Sequence, residues 1–106
     1  MDISLRHDPA AGRLIAWAED QPAGYLEYRL RGERMALLHT IVDPAWEGYG
    51  VGSALVKESL ALARANGWAV LPYCPFVQAY LVKHPQLQDL VPADQRAAFH
   101  LPAAAD

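Results

Sequence analysis

One short stretch decides the fold of this chain: Gly48-Tyr49-Gly50-Val51-Gly52-Ser53. An apolar, strand-like segment, Met35 to Val42, precedes it, and a helix-like segment, Ala54 to Ala65, follows it. Glycine lets the backbone approach a ligand closely and leaves its N–H groups uncovered. A helix that begins at this point adds a partial positive charge to those groups. The combination predicts a site for anions, most often phosphates.

A second candidate site follows the predicted helix. Cys74 is the single cysteine and lies in Pro72-Tyr73-Cys74-Pro75-Phe76. Together with the glycine stretch, it indicates an enzyme that holds a phosphate-bearing cofactor and does its chemistry near a second strand end. The alternative interpretation of Cys74 is a small buried hydrophobe, because free cysteine is commonly buried.

Bulk composition limits the class of protein. A length of 106 residues predicts one domain, residues 1–106, in which the tail 101–106 is expected to be flexible. With 53% apolar residues the chain can bury a core without disulfides or metal. A single cysteine favours a reducing cytoplasm. We expect a monomer or a weak dimer.

Charge and hydropathy argue against two kinds of partner. The net charge is −3, and nucleic-acid binding by a general coat needs basic patches, so no nucleic acid is expected. No apolar run approaches ~18 residues, and the N-terminus has no basic flank before an apolar stretch. We therefore expect neither a membrane span nor a signal peptide.

The hydrophobic pattern predicts five strands and two helices. Three hairpin-like connections precede one strand–helix–strand crossover, which is expected to be parallel and right-handed. The predicted fold class is α+β, in a three-layer α/β arrangement: a mixed sheet, antiparallel first and parallel at the end, with helices packed on it. The predicted strands are 3–7, 13–18, 24–30, 34–42 and 68–71, and the helices are 50–65 and 75–83, with a helical turn at 87–91.

The strand 34–42 is predicted to be central and covered on both sides, because both of its faces are apolar. Simple alternation divides it into Met35, Leu37, His39 and Ile41 on one face and Ala36, Leu38, Thr40 and Val42 on the other. On the second helix, Phe76, Val77, Tyr80 and Leu81 are expected to face inward.

Three other motifs are excluded. No Gly-Lys-Ser/Thr follows the glycines, so they do not form a Walker phosphate loop. A dinucleotide fingerprint would need a third glycine and an acidic residue about 20 positions on. The four histidines lack metal-ligand spacing, and one cysteine cannot complete a structural zinc site, so no metal is expected.

The order strand, glycine-rich turn, helix and strand resembles the core of the GNAT superfamily, the acetyl-CoA-dependent N-acetyltransferases. The superfamily motif is Arg/Gln-x-x-Gly-x-Gly/Ala at the start of a helix. Gly50 and Gly52 match the two glycine positions, whereas Glu47 stands where Arg or Gln is usual. A carboxylate there disfavours a pyrophosphate unless it points away from it.

The match is closer to one small branch of about 100 residues, the family that includes N-acetyltransferase domain-containing protein 1. The shared elements extend over about residues 24–91. They are His39-Thr40-x-Val42, Gly50-x-Gly52-Ser53-x-Leu55-Val56, Pro72-Tyr73-Cys74-Pro75-Phe76-Val77 and Lys83-His84-Pro85.

The resemblance implies that acetyl-CoA is the cosubstrate and lies between two splayed parallel strands. Its pantetheine would pair with the strand ending near Val42, its pyrophosphate would lie on the N–H groups from Gly48 to Ser53, and its thioester would lie near Cys74. The residues expected to bind it are Ile41, Val42, Gly48, Tyr49, Gly50, Val51, Gly52, Ser53, Lys83 and His84. For Lys83 and His84 the alternative is a solvated helix end.

Three side chains are candidates for the chemistry. Cys74 can attack the thioester as a nucleophile or donate a proton to the departing thiolate, and a usual thiol pKa of about 8.5 suits either role. His39 is the candidate general base, and its alternative is a hydrogen-bonded core histidine. Tyr80 is the candidate proton donor by resemblance, and its alternative is a core aromatic.

The predicted function is transfer of an acetyl group to an amine: a lysine side chain, a chain N-terminus or a small polyamine. The partner is thus an amine-bearing small molecule or a protein. Two other classes remain open. One is a coenzyme A or acyl-CoA-binding module without significant turnover, and the other is an interaction protein in which the glycines form only a tight turn.

Overall fold

The protein is described by a computed structural model of residues 2–103, which contains a five-stranded sheet, two α-helices and four short 3₁₀ helices. No helix in that part of the chain is long and apolar enough to span a membrane. The strands are β1 (Ile3–Asp8), β2 (Arg13–Ala18), β3 (Gln21–Arg31), β4 (Arg34–Val42) and β5 (Ala69–Pro72); the helices are α1 (Val51–Asn66) and α2 (Pro75–Lys83), and the 3₁₀ helices are Pro44–Trp46, Pro85–Leu90, Ala93–Gln95 and Ala97–Phe99.

Strand order in the sheet follows the order along the chain. The first three pairs are antiparallel, as the short connections between them allow, and β4 pairs with β5 in parallel. The α1 crossover joins this parallel pair. The predicted mixed sheet, antiparallel first and parallel at the end, is confirmed.

Glycines fix both ends of α1. Gly50 precedes the helix at φ 79° and Gly67 follows it at φ 70°, both in the left-handed region that favours glycine. The N–H groups of Gly67 and Trp68 donate to the carbonyls of Arg64 and Ala63, which closes the last turn. The buried side of the helix packs on the sheet through Val51, Gly52, Leu55, Val56, Ser59, Leu60 and Ala63.

A β-bulge in the middle of β4 changes which residues share a face. Tyr28 of β3 lies opposite Leu37, but the preceding residue, Glu27, lies opposite His39, so Leu38 is the additional residue. Simple alternation across 35–42 is therefore wrong. Beyond the bulge, Thr40 and not His39 lies on the same face as Leu37.

The helices cover one face of the sheet. α1 packs on β2 to β5 and α2 packs beside it. The opposite face contains no buried residue within the described chain, and we call it the open face. The prediction that β4 is covered on both sides is wrong. Members of the open face include Ile15, Trp17, Tyr25, Glu27, Arg29, Arg31, Ala36, His39 and Ile41, all half-buried or exposed.

The C-terminal 3₁₀ helices tie the chain back to the domain. Asp89 accepts two hydrogen bonds from the guanidinium of Arg64 on α1, and these bonds hold the pKa of its carboxyl below its usual value. Leu101, the first residue of the tail expected to be flexible, is buried, and its N–H donates to Arg96. Residues 104–106 of that tail lie outside the described residues.

Replacing Leu55 by alanine tests the packing of α1 on the sheet. The side chain is fully buried, so Leu55→Ala should lower the free energy of unfolding by about 2–5 kcal/mol. Lys57→Ala, an exposed change two residues along the same helix, should stay within about 0.5 kcal/mol. Urea unfolding monitored by circular dichroism measures both; equal stability of the two variants would contradict this packing.

Candidate functional site

The candidate site lies where β4 and β5 separate. The last parallel pair joins Leu37 to Pro72, after which only one further backbone bond connects the strands, from the N–H of Cys74 to the carbonyl of Leu37 at 3.0 Å. Beyond it, residues 38–42 of β4 pair with no strand on the β5 side within the described part of the chain. This stretch is an open sheet edge, which can pair with an extended ligand.

Backbone direction along this edge follows from β3. The backbone N–H of Asp43 donates to the carbonyl of Ala23 at 2.8 Å, so the N–H of residue 43 points toward β3. The direction of the backbone N–H alternates along a strand. The N–H of Ile41 therefore also points toward β3, whereas the N–H groups of Thr40 and Val42 point into the gap. Of the two residues predicted to contact the ligand through their backbone, Val42 has the required direction and Ile41 does not.

The glycine loop opens the N-terminus of α1 toward the same gap. Gly48 and Gly50 have φ values of 85° and 79°, and space is open around the position of a Cβ at each. Among residues 2–103, no side chain caps the N-terminus of this helix. The first N–H groups of α1, at Val51, Gly52 and Ser53, have no partner within the helix and are available to an anion.

Gly52 and Phe76 bring the starts of the two helices together. A Cβ at Gly52 would lie 2.9 Å from Cζ of Phe76, so glycine permits this ring to pack on the helix. Phe76 is 45% exposed and was expected to face inward; that prediction is wrong. Its ring instead forms a wall of the groove described next.

A groove of about 380 Å³ joins the open edge to the glycine loop. A second hollow of about 150 Å³ shares Ser53 and Phe76 with it and continues along α2. The groove is lined by Thr40, Val42, Trp46, Glu47, Gly48, Gly50, Val51, Gly52, Ser53 and Phe76, and the hollow also by Ala79, Tyr80, Lys83 and His84. Nine of the thirteen predicted site residues line the groove or the hollow; the other four are His39, Ile41, Tyr49 and Cys74.

The thiol of Cys74 lies beside the gap on the helix side. It is buried, and its Sγ donates to Oγ1 of Thr40 at 3.5 Å. Simple alternation placed Thr40 on the face opposite Leu37, and the bulge at Leu38 is what turns it toward Cys74. The sequence marked Thr40 only by its position beside His39 in the element His39-Thr40-x-Val42. That position did not predict its contact with Cys74.

His39 lies on the other side of β4 from Cys74. It is exposed on the open face, opposite Glu27 of β3. The alternative of a hydrogen-bonded core histidine is therefore wrong. The structure places the two candidate catalytic residues on opposite faces of one strand, next to the same gap.

Tyr80, Lys83 and His84 form a separate group at the end of α2. The rings of Tyr80 and His84 stack at 4.0 Å, and Nδ1 of His84 lies 2.7 Å from the Tyr80 carbonyl, to which it donates. Six residues of helix, or about 9 Å, separate Tyr80 from Cys74. The group adjoins Ser53 in the second hollow rather than the thiol.

Two further loop residues border the groove. Glu47 is exposed beside it, and Tyr49 is 59% exposed, with its ring edge-on to Trp46 at 5.8 Å. Tyr49 is not among the groove-lining residues, although its neighbours on both sides are. Within residues 2–103 no group of three histidine, cysteine or carboxylate side chains is placed to hold a metal.

Comparison with known proteins identifies the family. The family model of the GCN5-related N-acetyltransferases matches residues 13–90. The chain belongs to this family, the GNAT superfamily, as its sequence predicted. Membership of the small branch that includes N-acetyltransferase domain-containing protein 1 stays a prediction.

Individual relatives are longer than this chain. Mycothiol acetyltransferase of Nocardia farcinica (strain IFM 10152) is 37% identical over 70 residues, which are 63% of this chain and 23% of that protein. The ribosomal-protein-S18-alanine N-acetyltransferase of Escherichia coli has a TM-score of 0.54 at 18% identity, over 57% of this chain and 39% of that one. Ard1 of Thermoplasma volcanium has a TM-score of 0.52 at 22% identity, over 57% and 43%. The two structures share the fold, and this chain spans less than half of each relative.

Proposed function

We propose that this protein transfers an acetyl group from acetyl-CoA to an amine. One juxtaposition carries the proposal: the open edge of β4 and the uncapped start of α1 border the same groove, and Cys74 lies next to it. Membership of the GCN5-related N-acetyltransferase family supports the reaction class. Acetyl-CoA supplies an activated acyl group. The protein has to hold it, polarise its carbonyl, take one proton from the amine and give one proton to the departing thiolate.

The groove fits the cosubstrate in chemistry and in shape. Amide groups of a pantetheine arm can pair with the open edge at Val42, as an added strand does. The N–H groups of Val51, Gly52 and Ser53 suit a pyrophosphate at the helix start. Lys83, in the adjoining hollow, adds a positive charge that suits a further phosphate. Glu47 also lines the groove, but its side chain is exposed and can extend into solvent, away from the pyrophosphate.

The two faces of β4 divide the acid and base roles. The amine attacks the thioester carbonyl, a carbon–nitrogen bond forms, the carbon–sulfur bond breaks, and the thiolate leaves. His39 on the open face takes a proton from the incoming amine. Cys74 on the helix face gives a proton to the departing thiolate. The N–H of Thr40, whose side chain contacts Cys74, donates to the carbonyl oxygen as negative charge develops there.

Proton donation is the role that we propose for Cys74. Its thiol contacts the Thr40 hydroxyl, which can accept a hydrogen bond from it and hold it beside the gap. A nucleophilic role requires the thiolate instead. Tyr80, about 9 Å along α2, is less well placed to donate the proton.

The acceptor class proposed on this basis is a lysine side chain, a chain N-terminus or a small polyamine. Location in the cytoplasm and a monomeric or weakly dimeric state remain predictions from composition. A coenzyme A-binding module without turnover is the second candidate. Glu47 favours it, because a carboxylate stands where the family motif has Arg or Gln.

Substitution of Gly50 tests the location of the cosubstrate. Gly50→Arg places a side chain into open space at the mouth of the groove, so the Kd for acetyl-CoA measured by calorimetry should rise about tenfold or more. The matched control is Gly67→Arg at the opposite end of α1, which has a similar φ and equally open surroundings. An unchanged Kd for Gly50→Arg, or equal losses for both variants, would mean that the groove is not the binding site.

Substitution of Cys74 tests the chemistry. Cys74→Ala should lower kcat by roughly 10²- to 10⁴-fold and leave the Kd for acetyl-CoA nearly unchanged. Cys74→Ser should recover part of kcat if the residue donates a proton. Mass spectrometry of the wild type during turnover should find no acetylated Cys74. Full activity of Cys74→Ala would reduce the thiol to a packing role, and a trapped acetyl-cysteine would make it the nucleophile.

A further inference from the structure

The open face carries a cationic pocket that the chemistry described above does not use. It has a volume of about 370 Å³, and its walls are Arg29 and Arg31 of β3 and Arg34 of β4. The backbones of these strands pair so that the three side chains emerge on one face. Its apolar floor is formed by Ala36, Leu38, Leu71 and Tyr73.

The three arginines have no acidic partner in the part of the chain that the structure describes. Its two ion pairs join Arg13 to Glu27 and Arg64 to Asp89. Arg31 lies directly opposite Arg34, and like charges in that position destabilise a sheet. The cluster is local, because the whole chain has a net charge of −3. A bound anion would relieve the repulsion and explain the arrangement.

The pocket ends at the gap between β4 and β5. Leu38 follows Leu37 and Tyr73 follows Pro72, the last pair of the parallel ladder, so both border the point where the strands separate. The cosubstrate groove reaches the gap from the helix side. A molecule held by the arginines reaches it from the open face, on which His39 also lies.

We propose that the acceptor is an acidic peptide segment, in which carboxylates lie close to the acetylated amine. The inference rests on the acetyl transfer proposed above. Arg29 lies opposite Ala36, one residue before the gap, and Arg34 lies three residues before it. An extended peptide rises about 3.3 Å per residue, so the carboxylates belong about one to three residues from the amine. The guanidinium fork suits carboxylates because it can bind both oxygens.

The remainder of the open face favours a peptide over a single-stranded nucleic acid. Nucleic-acid binding of this kind needs aromatic faces on which bases stack. The guanidinium of Arg6 already lies 4.8 Å from the ring of Trp17, and that of Arg13 lies 4.2 Å from the ring of Tyr25. The protein's own cations therefore cover two of the rings that such a platform would use, and a third, Tyr73 of the pocket floor, packs edge-on against Phe99.

The direct test measures peptide binding separately from turnover. Fluorescence anisotropy would compare a labelled Glu-Glu-Lys-Glu peptide with its Gln-Gln-Lys-Gln counterpart. The acidic peptide should bind about tenfold more tightly, from two ion pairs that each contribute about threefold. Arg29→Glu combined with Arg34→Glu should abolish this preference. The single variant Arg29→Glu should weaken the preference, and Lys57→Glu on α1, its matched charge control, should retain it.

Measurements of acetyl transfer then distinguish failure of this inference from failure of the proposed function. With both peptides as acceptors, the arginine variants should raise KM for the acidic peptide and leave the Kd for acetyl-CoA unchanged. Acetylation with no preference between the peptides would overturn the acidic-acceptor inference alone. Failure to bind acetyl-CoA, with intact preference for the acidic peptide, would overturn the proposed function alone. Tighter binding of a single-stranded oligonucleotide than of the acidic peptide would overturn the inference and identify the ligand of the pocket as a nucleic acid.

Discussion

The separation of β4 from β5 is the constraint on which the rest of the site depends. Backbone N–H and C=O groups at a strand edge need partners, and here the parallel ladder stops after Leu37 and Pro72. The bulge at Leu38 bends β4 at that point. An edge left open in this way exposes a chain to unwanted pairing, so its retention is best explained by a ligand that completes it.

The bulge also determines which side chains meet. Because it shifts the alternation by one residue, Thr40 turns to the helix side and contacts Cys74, whereas His39 turns to the open face. A regular strand would have placed His39 on the helix side. The proposed division of roles, with a base on one face and an acid on the other, follows from this single additional residue.

Local signals made most of the fold predictable. The bounds of α1 follow from glycines at its two ends, and strands β1 to β4 follow from alternation and turn residues. The bulge was not predictable, because it is defined by the pairing of β4 with β3 and the sequence from Met35 to Val42 contains no pattern that indicates it. The error about Thr40 has that origin. The error about β4 has another: both of its faces are apolar, but the helices cover only one of them. Phe76 was misplaced because its partner, Gly52, offers a flat backbone surface that a periodicity pattern does not register.

The central claim is that acetyl-CoA occupies the groove between the open edge of β4 and the start of α1. Nuclear magnetic resonance of the ¹⁵N-labelled protein during titration with coenzyme A tests it at individual amides. We expect the largest shifts at Val42 and at Val51, Gly52 and Ser53, and small shifts at Gly67, at the far end of α1. Shifts confined to the open face, or none at millimolar ligand, would contradict the account.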